Sequence, residues 1–381
     1  MHAAGMIRGQ QGVHHFEMPV PVIRQADEVR IKVKEVGLDG TDFGIVGRGA
    51  PDIAEDADRI VLGHEMVGVV EEVGSAVTSL SLGDAVALTV RRGCGICHPC
   101  LHNQSDMCMT GLFTERGIHK LDGFLTEYVV DREQYVVRIP PELTTLAVFT
   151  EPFSIVEKAI EQIRIIQSRL PWTCTHPEHS FQSPEWGGCK TALVVGAGPL
   201  GLLAAALIRL STAETYVVDI VPDDSPKARL VSKVGAHYVD GSGKAPEDIV
   251  NACCAPNTGL NLILEASGAA ETALRLIPHM SRSSIYVMTG IPRGELTMQL
   301  DAAELVRQVV RYNQVVVGSV NSNRTHFERA LHDLDEVNSR FDNLLNEMIT
   351  HRFSLENCHE AFVVNDPGHI KSVIEVDPWD K

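Results

Sequence analysis

A glycine-rich turn constrains this chain more than any other feature. Gly196-Ala-Gly198-Pro-Leu-Gly201 follows the apolar run ALVV and opens the apolar segment LGLLAAALIRL. A bare G-x-G-x-x-G carries little information, but one that leaves a strand and enters a helix is a dinucleotide-binding fingerprint. Its first glycine permits the tight turn, its second lets a pyrophosphate approach the backbone, and its third lets helix and strand pack closely. The phosphates then meet the positive N-terminus of the helix. Asp219 closes the next apolar run, ETYVVDI, where a carboxylate can accept hydrogen bonds from the adenosine ribose; the alternative is a solvated acid at a strand end.

From about Ala192 the pattern of apolar strand, turn and apolar helix repeats through ALVVGAG, ETYVVDI, AHYVD, NLILEASG, SSIYVMTG and QVVVGSV. Continuous hydrophobic strands between helices predict a parallel sheet covered on both faces. The first third differs: residues 28–36, 68–73, 84–90 and 124–130 are short Val/Ile-rich strands separated by glycine and proline, which predicts an antiparallel, barrel-like domain. At 381 residues two domains are expected. The boundaries expected are 1–157 with 321–381 for the antiparallel domain, completed by a terminal strand at 373–376, and 158–320 for the doubly wound α/β domain.

Four cysteines crowd one short stretch. Cys94-x-x-Cys97-x-x-Cys100 is followed after seven residues by Cys108. Four thiolates close a tetrahedral shell around zinc and leave no position open for substrate, so this site is expected to be structural. A formal charge of −17 argues against nucleic-acid or anionic-membrane partners. No apolar run reaches the roughly 20 residues of a membrane helix, and MHAAGMIRGQ lacks the apolar core of a signal peptide. Clustered cysteines fit metal ligation in a reducing compartment, so a cytoplasmic location is expected.

Two further groupings carry less on spacing alone. Gly63-His64-Glu65 precedes an apolar strand, with Asp39-Gly40-Thr41-Asp42 upstream and Glu151-Pro152 far downstream. A lone histidine is more often structural than a ligand, and a lone carboxylate usually faces solvent. Residues 171–190, with three prolines, form an expected inserted loop. Its Cys174, His176, His179 and Cys189 imitate a metal site, but their irregular spacing favours a surface loop.

GHEMVGVV, the four-cysteine lobe and the glycine fingerprint, in that order, resemble the zinc-containing medium-chain alcohol dehydrogenase superfamily along almost the whole chain. GLDGTD, VLGHE, TVRR, ERGI, TEPFSIVEKAI and VGSVNS look most like its archaeal-type glucose 1-dehydrogenase branch. The resemblance implies a Rossmann domain beside a GroES-like catalytic domain. It also implies a catalytic zinc bound by Asp39 and His64, with Glu65 and Glu151 near or in its shell by turns. Asp39 stands where alcohol dehydrogenases usually have cysteine, and some of the glucose branch use aspartate there. Thr41 matches the start of a proton relay, and Thr89, Glu115, Glu151 and Asn321 match sugar-contacting positions. The cofactor contacts implied are Gly196, Gly198, Pro199, Leu200, Gly201, Asp219, Ser319 and Asn321. The implied activity is oxidation of an aldose such as glucose at C1, by a homodimer or homotetramer. NAD is expected in preference to NADP, because Asp219, Asp223 and Asp224 repel a 2′-phosphate, although Lys227 and Arg229 would attract one. The rival readings are a dehydrogenase of another polyol, sugar or amino alcohol, and a non-catalytic dinucleotide-binding relic or redox sensor.

Overall fold

The computed structural model describes residues 1–170, 174–253, 259–292 and 294–379; positions 171–173 of the expected inserted loop lie outside them. The chain divides into two compact units, Met1–Ser154 with Asn321–Glu336 and Leu345–Lys381, and Ile155–Val320 with Val337–Leu344. From sequence the first junction is expected at 157/158, with Val337–Leu344 in the first unit.

The first unit is built on the strand Glu28–Leu38. Its Val29, Ile31 and Val33 are fully buried while Arg30, Lys32 and Lys34 alternate outward, the two-residue period of a strand with one face on the core. Towards its C-terminus every residue becomes buried. Here Glu65–Val73 pairs on one side and Lys371–Glu375 on the other, both antiparallel. The seven-stranded sheet continues outward through Ala85–Leu88 and Val136–Arg138 on one flank and Ile349–Ser354 on the other, with Tyr128–Arg132 also paired to Glu28–Leu38. Leu62, Phe124 and Leu125 join Ile31 and Val33 in the core.

The strand expected at 124–130 is shorter than its sequence suggests: regular pairing begins only at Tyr128. A Cβ on Gly123 would lie 2.3 Å from the Gly63 carbonyl oxygen, so two backbones cross there without room for a side chain. The Phe124 amide accordingly donates to the Leu62 and Gly63 carbonyls, at 3.0 and 2.9 Å, instead of to a ladder partner.

The second unit holds a six-stranded, wholly parallel sheet in the order His237–Asp240, Glu214–Asp219, Thr191–Val195, Leu262–Glu265, Ile285–Met288, Val315–Gly318. In chain order this is 3-2-1-4-5-6, the doubly wound Rossmann arrangement, whose ligand crevice lies at the carboxyl ends of the first and fourth strands. Leu193, Ile263 and Tyr286 sit in its core. Among the described residues no helix is long and apolar enough to cross a membrane.

Candidate active site and metal centres

The central strand of the first unit delivers the chain to Asp39, which caps the helix Gly40–Arg48. Asp39 Oδ1 accepts from the amides of Thr41 (2.7 Å) and Asp42 (3.2 Å), and Asp42 Oδ2 accepts from the Asp39 amide (3.1 Å), a reciprocal capping box. The cap holds the Asp39 carboxylate 3.6 Å from His64 Nε2. His64 is 4 % exposed, and its other ring nitrogen, Nδ1, lies 3.5 Å from Asp42 Oδ1. Neither Nδ1 nor that Asp42 oxygen has a hydrogen-bond partner, and Glu65 Oε1 is likewise buried without one.

One ligand atom each from Asp39, His64 and Glu65 lies within 4.8 Å of the others. The 3.6 Å separation of His64 Nε2 and Asp39 Oδ1 is too long for a good hydrogen bond, yet it approximates the edge of a zinc tetrahedron, about 3.4 Å for bonds near 2.0–2.1 Å. Glu151, in the first turn of the helix Thr150–Gln167, stands outside this triplet but within reach of its charges. Burial pushes its carboxyl up to about 8, with Glu65 and Asp39 adding to the shift and His64 and Lys371 opposing it. Burial alone would lower the His64 pKa, but Asp42 and Asp39 outweigh it and drive it well above 6.5. Carboxylates thus outnumber cations in a buried space, and a divalent cation fits that imbalance and the orphaned donor atoms.

Two residues here escape sequence reasoning. Lys371, at the start of the strand Lys371–Glu375, donates to Glu65 Oε2 with both side chains at 0 % exposure. Asp42 backs the His64 ring, as carboxylates commonly do behind metal-binding imidazoles. The only hint of either was an acid three residues after Asp39 and a lysine inside an apolar terminal strand.

The sugar-contact candidates fall into two groups. Glu115 Oε1 accepts from Arg91 Nε (3.0 Å) and Nη2 (2.9 Å) and from Asn321 Nδ2 (2.6 Å), so Glu115 and Asn321 come together although far apart in sequence. Asn321 adopts φ 60°, and the neighbouring Ser322 Oγ meets Ser154 Oγ at 2.6 Å, fixing this returning segment on the first unit. Thr89, by contrast, is 2 % exposed, with its hydroxyl turned to the Tyr135 carbonyl and to Arg92. Thr41 Oγ1 donates to Asp39 Oδ2 at 3.2 Å.

The glycine turn joins Thr191–Val195 to the helix Pro199–Leu210. Gly196 has φ 103°, and a Cβ on Gly201 would lie 1.9 Å from the Gly196 carbonyl oxygen. At Gly198 there is open space instead, and this N-cap residue contributes no side chain, so the first-turn amides of Leu200 and Gly201, after Pro199 which has none, remain available to an anion. Asp219 Oδ2 accepts from the Ala197 amide and Oδ1 from the Ile220 amide, each at 2.7 Å, so this acid braces the turn as well as ending its strand. Ser319, beyond the sixth strand, is buried with an unpartnered hydroxyl.

In the four-cysteine lobe the ligand atoms of Cys94, Cys97, Cys100 and Cys108 all lie within 4.8 Å of one another, and none is in a disulfide. Cys94 Sγ and Cys100 Sγ are 3.9 Å apart, close to the roughly 3.8 Å edge of a zinc–tetrathiolate tetrahedron. The Thr110 hydroxyl and the Ile96 amide pull the Cys94 thiol down to about 6, whereas burial and the neighbouring Cys97 push the Cys100 thiol up to about 12. A Cβ on Gly93 would lie 2.4 Å from Cys100 Sγ, so the chain passes the sulfur cluster at glycine.

An antiparallel unit with a histidine–carboxylate cluster and a four-cysteine lobe, in one chain with a Rossmann unit, defines the class of zinc-type medium-chain dehydrogenases. Residues 25–141 match the alcohol dehydrogenase GroES-like domain and residues 144–376 the glucose dehydrogenase C-terminus. Glucose 1-dehydrogenases of Methanocella arvoryzae and Thermoproteus tenax are each 35% identical, over 356 and 352 residues, covering 92% of this chain and 92% of each relative. The solved structure of Haloferax mediterranei glucose dehydrogenase in complex with NADP, Zn and gluconolactone is similar with a TM-score of 0.86 at 29% identity, covering 100% of both chains. The chain belongs to the glucose dehydrogenase family within the zinc-containing medium-chain dehydrogenases.

Proposed function

We propose that this protein oxidises an aldose, glucose foremost, at C1 to the aldonolactone, passing hydride to a nicotinamide dinucleotide and releasing one proton. The observation that carries this reading is the Asp39–His64–Glu65 cluster, in which His64 and Glu65 are buried and Glu65 Oε1 has no hydrogen-bond partner. Zinc held there supplies Lewis acidity, which lowers the pKa of a sugar hydroxyl enough to make hydride departure feasible. Asp39 and His64 would hold the ion, with Glu65 and Glu151 completing or vacating its shell. Asp42, 3.5 Å behind His64 Nδ1, is placed to orient the ring. Thr41, hydrogen-bonded to Asp39, is placed to carry the hydroxyl proton away. Glu115, positioned by Arg91 and Asn321, selects among sugar hydroxyls, because a wrong sugar leaves a polar partner unpaired.

The Cys94, Cys97, Cys100 and Cys108 lobe would hold a second, structural zinc. NAD is the preferred cofactor in this reading: Asp219 carries its charge at the end of the second strand, and Asp223 and Asp224 follow. A homodimer or homotetramer is supported by the strand Val315–Gly318, which among the described residues is an unpaired sheet edge with Val316 exposed, and by the helix Ala302–Arg311, which leaves Val306 and Val310 exposed. The described cysteines are unpaired, which suits a cytoplasmic location.

Assays of the purified protein against aldoses, polyols and amino alcohols with NAD and with NADP test the reading. Aldonolactone formation that stops on zinc removal and returns on its restoration is the expected result. Turnover confined to polyols or amino alcohols would refute the sugar assignment.

A further inference from the structure

The inserted loop brings together four side chains that no role above uses. Cys174, His176, His179 and Cys189 each offer a ligand atom, and all four atoms lie within 4.8 Å of one another. His179 Nδ1 is 2.8 Å from Cys189 Sγ, and His176 Nδ1 is 3.5 Å from the same sulfur. The longer separation matches the edge between a thiolate and an imidazole on one zinc ion, about 3.5 Å for Zn–S near 2.3 Å and Zn–N near 2.0–2.1 Å, and the shorter one falls inside that edge. Neither cysteine is in a disulfide.

We propose that Cys174, His176, His179 and Cys189 bind a further zinc ion, which holds the inserted loop in place on the second unit.

Two thiolates and two imidazoles are a soft, borderline donor set that selects zinc over magnesium or calcium, and four protein ligands leave no vacancy for substrate. The site is therefore structural. The loop needs such support, because among its described residues the regular structure is one short turn, Pro177–His179. Phe181 and Trp186 stack with ring centroids 5.7 Å apart and are buried, and the Lys190 ammonium lies 4.4 Å from the Phe181 ring centroid. Lys190 also donates to the carbonyls of His179 (3.2 Å) and Trp186, which ties the turn carrying one ligand to the residue after another. Gly188 completes the arrangement: a Cβ there would lie 2.4 Å from His179 Nε2, so only glycine lets the ring sit beside Cys189. His176 and Cys189 are exposed, which gives an ion a route in from solvent.

The test is zinc per chain, by elemental analysis, in the full-length protein and in Cys174→Ser/Cys189→Ser. The expected result is a loss of one zinc equivalent with aldose turnover unchanged, since neither cysteine belongs to the catalytic cluster. This difference holds whatever the substrate proves to be. Equal zinc content in the two proteins would overturn the proposal. A second measurement needs no variant: alkylation of Cys174 and Cys189 in the unaltered protein, mapped by peptide mass spectrometry. Both should react slowly until a chelator is added and rapidly afterwards. Reactivity indifferent to the chelator, or a disulfide joining the two cysteines, overturns the proposal even if the double variant does not fold.

Discussion

Lys371 and Glu65 form an ion pair with both side chains fully buried, across 306 residues of sequence. Gly37 makes the pair possible, because a Cβ there would lie 2.1 Å from Glu65 Oε2 and 3.0 Å from Lys371 Cε. Glu65, Gly37 and Val373 stand in register on three adjacent strands, so the sheet itself sets the geometry. Removing one partner of such a pair leaves a buried charge uncompensated. Lys371→Met is expected to lose about 3–5 kcal/mol of stability in denaturant unfolding. Glu65→Gln/Lys371→Met should recover part of that loss, and a double variant no more stable than Lys371→Met would show that the pair is not coupled.

His64→Ala removes the imidazole at the centre of the proposed catalytic cluster. Turnover is expected to fall by more than about 100-fold, beyond what loss of an outer-shell partner alone costs. Dinucleotide affinity, followed by fluorescence titration, should stay near the parent value, because the glycine turn belongs to the other unit. Unchanged turnover would eliminate the catalytic zinc.

Cys97→Ser acts on the lobe instead. It should remove a zinc equivalent and lower Tm by at least roughly 5 °C, about 2 kcal/mol for a domain of this size. Turnover at low temperature should survive. Full zinc content together with an unchanged Tm would contradict the four-cysteine assignment.

Asp131 offers a pH signature away from the metal sites. It lies between Arg92 and Arg116, whose guanidinium groups donate to Oδ2. Burial alone would raise its pKa, but the two arginines outweigh burial and hold it at about 2, against 3.8 for a free aspartate. A depressed folded value means that the stabilisation is complete above about pH 4 and is lost as pH falls towards 2. The shift corresponds to about 2 kcal/mol. The stability gap between parent and Asp131→Asn should therefore narrow by about that amount between pH 6 and pH 2. Zinc loss in acid affects both proteins and cancels in the difference; a gap independent of pH would refute this account.

The ratio of kcat/KM for NAD to that for NADP reports on Asp219. The parent is expected to favour NAD, and Asp219→Ala should move the ratio towards NADP. The variant also loses the brace on the Ala197 and Ile220 amides, so both absolute values should drop. A parent that strongly prefers NADP, or a ratio that does not move, removes Asp219 from the discriminating role.

What was legible in the sequence was what local spacing encodes. The glycine fingerprint, the four-cysteine lobe and the run of apolar strands each occupy a short stretch whose backbone geometry follows from its own residues. Tertiary structure alone decided what lies opposite what. No periodicity ties Lys371 to Glu65 or Asn321 to Glu115, because those contacts follow from strand register and chain return over hundreds of residues. The same holds on a smaller scale in the inserted loop, where an irregular spacing argued against a metal site. A loop held by Trp186, Phe181 and Lys190 folds back on itself, so the distance between Cys174 and Cys189 is set by that packing and not by the number of residues between them.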